Sequence, residues 1–272
     1  MIKKLLPLLQ GLFVFVLSLV ICLPLLYAVS GAFKTAPEFA GGRFFPASFS
    51  NTEAFSRLFS QLPMGQYLIN SVIVALLTGV ARILLSVPAA WAFAMYDFKG
   101  KTFLFLLVMG TMMLPPDTLL ITNYRTVTAL NLTDSYLGMG ITAFMGAATV
   151  FMLRQSIRTM PRPLYEAARV DGCGDLHFIV RILLPLIRPV LVILFLQTLI
   201  NSWNNYLWPL MVTNKDTMRT VAVGISMISD PEQMDYPLVL AGVTVSVLPV
   251  VLLFLLFRRR ISLSMTDGAV IG

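Results

Sequence analysis

Residues 165–189 read YEAARVDGCGDLHFIVRILLPLIRP. This is the only long polar segment that reads as cytoplasmic, and it separates the fourth from the fifth of six apolar runs. Residues 164–170 are good helix formers, with Ala167 and Ala168 at the centre. Gly172 and Gly174 are expected to break that helix, because glycine enters positive φ freely. Asp175 is placed to N-cap a second helix over 176–184 by accepting an orphan N–H, and Pro185 is expected to end it. The segment therefore predicts a short helix, a turn and a second short helix lying along a membrane surface. The small Ala167 and Ala168 let another protein approach closely, and Glu166 sets one negative charge beside them. That pattern suits a helix held in the groove of a basic partner.

The rest of the chain is far more apolar. Of 272 residues, 57% are hydrophobic and 12% charged, and mean hydropathy is +0.83. A soluble domain would carry about 25% charged residues, so this is an all-α membrane protein. A membrane-spanning helix needs about 20 apolar residues, and the sequence predicts six in a single domain over 1–272: about 8–32, 67–94, 103–121, 135–154, 190–211 and 238–257. The polar loop then covers 159–189 and a C-terminal tail 258–272. The first run is too long for a signal-peptide core of about 7–15 residues and is expected to stay as a helix. Thirteen of the 20 Lys and Arg residues, from Lys3 and Lys4 to Arg258, Arg259 and Arg260, fall on the side of the polar loop, and six fall on the other. This bias puts both termini and that loop in the cytoplasm. It accounts for the net charge of +7 without nucleic acid.

Individual spans carry their own signals. Arg82, inside the second, is costly in lipid and should face protein or a water-filled path. Pro88 is expected to kink the same helix, and Pro115-Pro116 to interrupt the third near its outer end. The fourth is rich in Gly and Ala, which permits close helix packing in lipid. Asn201, Asn204, Asn205 and Tyr206 crowd the outer half of the fifth, where amides cannot face lipid cheaply. They suit either the hydroxyls of a solute or a subunit interface. The segment 34–66, with Phe39, Phe44, Phe45, Phe49, Phe55 and Phe59, reads as external short helices on the membrane. The segment 212–237 is also external; residues 220–228 are apolar enough for the interface, and Asp230, Pro231 and Glu232 sit in a turn expected to project away.

Several chemistries are excluded. Gly100-Lys101-Thr102 looks like the end of a phosphate-binding loop, but Met95 stands where the first glycine is required and no strand precedes it. His177, the only histidine, lies in the polar loop beside Phe178 and reads as a packed or solvated residue. Cys22 and Cys173 lie at different depths, so no disulfide is expected, and no metal-ligand spacing occurs.

Glu166-Ala167-Ala168, then Gly172, Ile182, Leu184 and Pro185, make the pattern E-A-A-x3-G-x9-I-x-L-P. It resembles the EAA loop of the membrane subunits of bacterial ATP-binding-cassette importers. Cys173 and Gly174 stand where that family often has Ala, then Ser or Thr. Met113-Leu114-Pro115-Pro116, residues 203–210 (WNNYLWPL) and the ending Asp267-Gly268-Ala269-Val270-Ile271-Gly272 extend the likeness to most of the chain. They point to the carbohydrate-uptake branch, of the maltose and glycerol-3-phosphate type. In the family tail the position of Ile271 is commonly lysine.

The resemblance implies a type I importer permease fold in the bacterial inner membrane. It implies a heterodimer with a second permease, two copies of a cytoplasmic ATPase, and an external solute-binding protein. ATP and magnesium would belong to the ATPase, with no cofactor on this chain. Glu166, Ala167, Ala168, Asp171, Gly172 and Pro185 would couple to the ATPase, and the tail from Asp267 to Gly272 would reach into its dimer. Arg82, Asn201, Asn204, Asn205 and Tyr206 would border the path, Arg82 or Arg125 favouring an anionic solute. Asp230, Pro231 and Glu232 would meet the binding protein. A secondary transporter is the rival reading, but no acidic residue lies near the middle of a span. A membrane-embedded enzyme would need a catalytic constellation that one loop histidine does not supply.

Overall fold

The computed structural model describes residues 2–228 and 234–266, with side chains for 10–115, 118–228 and 234–257. Every regular element among them is helical. In chain order these are α1 (Ile2–Ala32), α2 (Ala36–Ala40), α3 (Glu53–Gln61), α4 (Met64–Met95), α5 (Lys101–Gly110), α6 (Leu120–Ala129), α7 (Tyr136–Gly140), α8 (Ala147–Arg158), α9 (Arg162–Val170), α10 (Asp175–Phe178), α11 (Leu184–Leu186), α12 (Arg188–Trp203), α13 (Leu207–Val212), α14 (Val221–Met227) and α15 (Tyr236–Thr266). Short 3-10 turns and one π turn join some of them.

Among the described residues, Gln10–Ala32, Met64–Met95 and Tyr236–Phe257 are each long and apolar enough to cross a membrane. Two bent pairs make the number up to five if each pair is one span: Tyr136–Ala143 with Ala147–Arg158, bent by 56°, and Asp175–Leu186 with Arg188–Trp203, bent by 82°. The run 103–121 is interrupted at Pro115-Pro116, where the sequence predicts. Its apolar helical part is Lys101–Met113, ending in a 3-10 turn. Leu114 then adopts an extended conformation, φ −81° and ψ 121°. The proline that follows disfavours the helical region for Leu114, and two successive prolines remove two helical donors, so the chain restarts. Pro88 and Pro249, by contrast, are carried inside α4 and α15.

One compact unit comprises the described residues of 1–65 and 224–251. Here the end of α1 packs on the loops that follow it. Lys34 is only 2% exposed. Its ammonium lies 4.9 Å from the Tyr27 ring centroid and 5.5 Å from that of Phe39, and it donates to the Arg43 carbonyl. Rings and a carbonyl replace the water a buried cation gives up. The phenylalanines expected to lie on the membrane partly turn inward instead: Phe39 stacks on Tyr236, and Phe33 meets Phe49 and Phe55. Phe45, Phe49 and Phe59 nonetheless remain exposed, Phe49 meeting Phe33 only edge-on. Asp235 accepts from Arg57 at 2.6 Å and caps the Leu238 N–H at the start of α15.

The other unit comprises residues 66–223 and the described residues from 252 onward. Its largest apolar cluster lies toward the polar loop and includes Trp91, Leu153, Ile157, Ala168, Phe178 and Leu183. Arg154 holds α8 to α4 and α5: its Nε donates to the Phe93 carbonyl at 3.1 Å and its guanidinium sits 4.1 Å from the Phe105 ring centroid. Asn70, fully buried in α4, donates to the Thr217 and Arg219 carbonyls and accepts from Tyr136 and Gln66. The apolar residues Val221 and Val223, expected at the interface, are buried in the protein.

Gly138 sits at a crowded point in this unit. A Cβ there would overlap the Leu132 carbonyl oxygen, while the Gly138 carbonyl accepts from the Trp208 indole at 3.1 Å and its N–H bonds the Ser135 hydroxyl. Gly138→Ala is therefore expected to cost about 1–3 kcal/mol by overpacking. Reduced abundance in the membrane and earlier thermal unfolding of the purified complex are the readouts; unchanged values for both would refute the close approach.

Candidate functional site

The polar loop folds as the spacing predicts up to its first turn. Pro163 in the first turn starts α9 without loss, since the N–H there has no helical partner. The helix ends in a Schellman turn: the Cys173 N–H reaches the Ala168 carbonyl at 2.9 Å and the Gly172 N–H the Arg169 carbonyl at 3.1 Å. Gly172 takes φ +77°. Gly174 does not share that conformation; its φ is −74°. Of the alanine pair, Ala167 is exposed but Ala168 is buried against the loop's own core. Ala168 thus packs inside the protein, while Glu166, Ala167, Asp171 and Gly172 face outward.

Asp175 does not cap the second helix. Gly174 is the cap residue, and Asp175 begins α10 with its carboxylate directed elsewhere. The carboxylate accepts from the hydroxyl of Tyr165 at 2.7 Å and from that of Tyr96, with Arg169 at 3.4 Å. Two phenols and a guanidinium supply what one backbone N–H would have given. These bonds, from Tyr96 first and Tyr165 next, hold the Asp175 carboxyl below its ordinary range. The same contact pushes the Tyr96 phenol up. Beneath them Trp91, Tyr165 and Phe178 pack with ring centroids 5.1–5.5 Å apart. The loop is thereby fastened to the end of α4.

Nor does Pro185 end the second helix. The chain widens into a π turn over Ile179–Leu183 and continues as α11 through Pro185. A π turn makes room for the proline ring and absorbs its missing donor. The 82° bend follows, and α12 leaves as the fifth span.

A second site forms where the spans break. The chain is irregular at 114–115 in the third, near 144–146 in the fourth and at 204–206 in the fifth. All three breaks border one cavity of about 580 Å³, lined among others by Leu114, Ala143, Gly146 and Asn205. Non-helical backbone is tolerated at membrane depth only where protein or a water-filled space satisfies it. Arg82, from α4, meets this need directly: its Nε donates to the Ala143 carbonyl, which the break frees, at 2.8 Å. The guanidinium lies against Gly146, where a Cβ would come within 3.2 Å of Cζ and Nη1. The first turn of α8 also opens onto the cavity through Ala147 and Ala148.

Of the residues expected along the path, Arg82 and Asn205 share this cavity. Asn201 instead borders a hollow of about 250 Å³ with Gln197. Asn204 and Tyr206 are exposed. Asp230, Pro231, Glu232 and the tail Asp267 to Gly272 lie outside the described residues. Sequence reasoning passed over Tyr96, the acceptor role of Asp175, and Asn123, Thr111 and Thr142 in the cavity wall. The signal available was position: a tyrosine at the end of an apolar run, and polar residues flanking Pro115-Pro116.

Residues 59–266 match the family described as binding-protein-dependent transport system inner membrane component. The chain is 35% identical over 203 residues to an arabinooligosaccharides transport system permease protein of Halalkalibacterium halodurans, covering 75% of this chain and 73% of that one. It is also 35% identical over 210 residues to an sn-glycerol-3-phosphate transport system permease protein of Yersinia pestis, covering 76% and 74%. The fold is similar to that in a crystal structure of a bacterial ABC transporter involved in import of the acidic polysaccharide alginate. The TM-score is 0.82 at 19% identity, covering 94% of this chain and 96% of the other.

Asp175→Ala should loosen the loop from α4. The partly exposed carboxylate makes the expected cost about 1–2 kcal/mol. Uptake should fall while the membrane level holds, and Tyr96→Phe should reproduce part of the loss. Because the folded-state carboxyl titrates lower than the unfolded one, its contribution is present above the unfolded value and fades as pH falls through the folded one. Loop stability should therefore be flat from about pH 5 to 8; wild-type uptake by Asp175→Ala would show that the latch is idle.

Proposed function

Because this chain belongs to the family of binding-protein-dependent transport system inner membrane components, we propose that it is one of two permease subunits of a carbohydrate importer. Its solute is a sugar, a polyol or a sugar phosphate, in keeping with the named substrates of its relatives. The observation that carries the reading is the exposed face of α9. Glu166 and Ala167 stand outward on a helix braced from behind by Trp91, Tyr165, Phe178 and Asp175. A braced helix with a small-residue face and one charge fits a partner's groove.

The partner is a cytoplasmic ATPase present in two copies, which holds ATP and magnesium. Closure of its dimer moves α9. The Asp175 contacts pass that movement to α4, which carries Arg82 at the cavity. The cavity then opens alternately outward, beneath a solute-binding protein, and inward. Binding partners drive such a cycle only by favouring one state over the other. Asp230, Pro231 and Glu232 meet the binding protein, and the tail from Asp267 to Gly272 meets the ATPase.

Glu166→Lys tests this. A closed groove has no room for a like charge, and leaving one buried and unmatched costs about 3–5 kcal/mol. Uptake should drop to background and the ATPase should no longer co-purify, with the chain still in the membrane; normal co-purification would overturn the assignment. Replacing Asp230, Pro231 and Glu232 by alanine should lower ATP hydrolysis stimulated by the binding protein in reconstituted vesicles. Full stimulation would make that segment a passive connector.

A further inference from the structure

The cavity at the breaks has a chemical character that a route for neutral sugars does not need. Its volume, about 580 Å³, lies among small-ligand sites, which span roughly 300–1,000 Å³. Its wall is apolar, with Met112, Leu119 and Met145, broken by Thr111, Asn123, Thr142 and Asn205. Among the described residues lining it, Arg82 is the one charged side chain. No acidic side chain among them neutralises it.

Support for the Ala143 carbonyl does not explain an arginine here. That bond uses only Nε, at 2.8 Å. A hydroxyl or an amide would satisfy a carbonyl without a charge at membrane depth, where charge is expensive and marks solute pathways. Gly146, with no side chain, lets the guanidinium plane lie where it does. Nε anchored on the protein leaves the Nη edge of the fork for a ligand, and that edge matches a carboxylate or phosphate in two parallel bonds. The amides of Asn123 and Asn205 offer donors and acceptors for hydroxyls in the same space.

We infer that this cavity binds the anionic group of a polyhydroxylated solute, with Arg82 as the selecting charge. The inference rests on the importer reading but is narrower: the solute carries a carboxylate or a phosphate. Arg82 acts on the ligand itself, and Asn123 and Asn205 orient it.

The test uses the full complex in membrane vesicles with Thr142→Cys as a reporter in the cavity wall. Modification at position 142 is timed by mass spectrometry with two thiol reagents, sulfonatoethyl methanethiosulfonate (anionic) and trimethylammonioethyl methanethiosulfonate (cationic). A unit charge about 6 Å away in water changes each rate roughly threefold in opposite directions, so Arg82→Gln should lower the anion-to-cation ratio about tenfold. Arg82→Lys should keep most of it. Asn205→Asp, which leaves the Arg82 bond to Ala143 in place, should also lower the ratio and covers the case in which Arg82→Gln does not accumulate. In the parent, glycerol 3-phosphate or galacturonate should slow modification and arabinose should not; which anion protects separates phosphate from carboxylate. An unchanged ratio in Arg82→Gln or Asn205→Asp, or protection by neither anion, overturns the inference. ATP-dependent uptake in the same vesicles tests the importer reading separately, since the ratio reports local charge whether or not ATP drives transport.

Discussion

Backbone N–H and C=O groups cannot go unpaired in lipid, and the architecture of the larger unit follows from that constraint. Three spans lose helical continuity, each for a local reason. Leu114, before the pair Pro115-Pro116, is extended, Gly146 is extended at φ −147° and ψ 121°, and the run 204–206 carries two asparagines and a tyrosine. Separately each break would be an unaffordable exposure of polar backbone. Together they border one cavity, where Arg82 takes up the freed Ala143 carbonyl. The irregular backbone is thus the condition for having a polar chamber within apolar helices.

The helix α4 gives this chamber a connection to the polar loop. Arg82 borders the cavity, while Trp91 and Tyr96, near and just past its end, hold the loop. Along α4, residues 82 and 91 lie ~14 Å apart, with Pro88 carried between them. Displacement at one end therefore reaches the other without passing through loops. Asp175 matters because it closes the connection: one carboxylate gathers Tyr96, just past α4, and Tyr165 and Arg169, both from α9. An ionised acceptor makes stronger bonds than a neutral one, and the same bonds hold the Asp175 carboxyl below its ordinary range.

Polar residues in the apolar spans share one logic but differ in what satisfies them. Asn70 is wholly inside protein, with partners on three sides. Arg82 donates its Nε to protein and borders the cavity. Asn201 lies on an outward face of α12 beside Gln197. Lys34 is buried under two rings. Burial of a polar group is costly in each case, so the environment that offsets the cost tells structural from ligand-facing residues.

The sequence alone determined the class, the polar loop and its turn. Hydropathy, basic bias and the fixed spacing from Glu166 to Pro185 are one-dimensional signals, and Gly172 at positive φ is a local property of the chain. It also marked Arg82 and Asn205 as out of place in lipid. What only the tertiary structure decided is what those residues touch. Asp175 looked like a cap because its sequence neighbours are backbone N–H groups; Tyr96 lies 79 positions away and takes the carboxylate instead. Ala168 looked like an open surface because small residues permit approach from either side; the fold filled its side from within. Pro185 looked like a stop, but a π turn upstream accommodated it. The shared cavity depended on three breaks meeting in space, and no periodicity along a chain records which distant carbonyls will face one another.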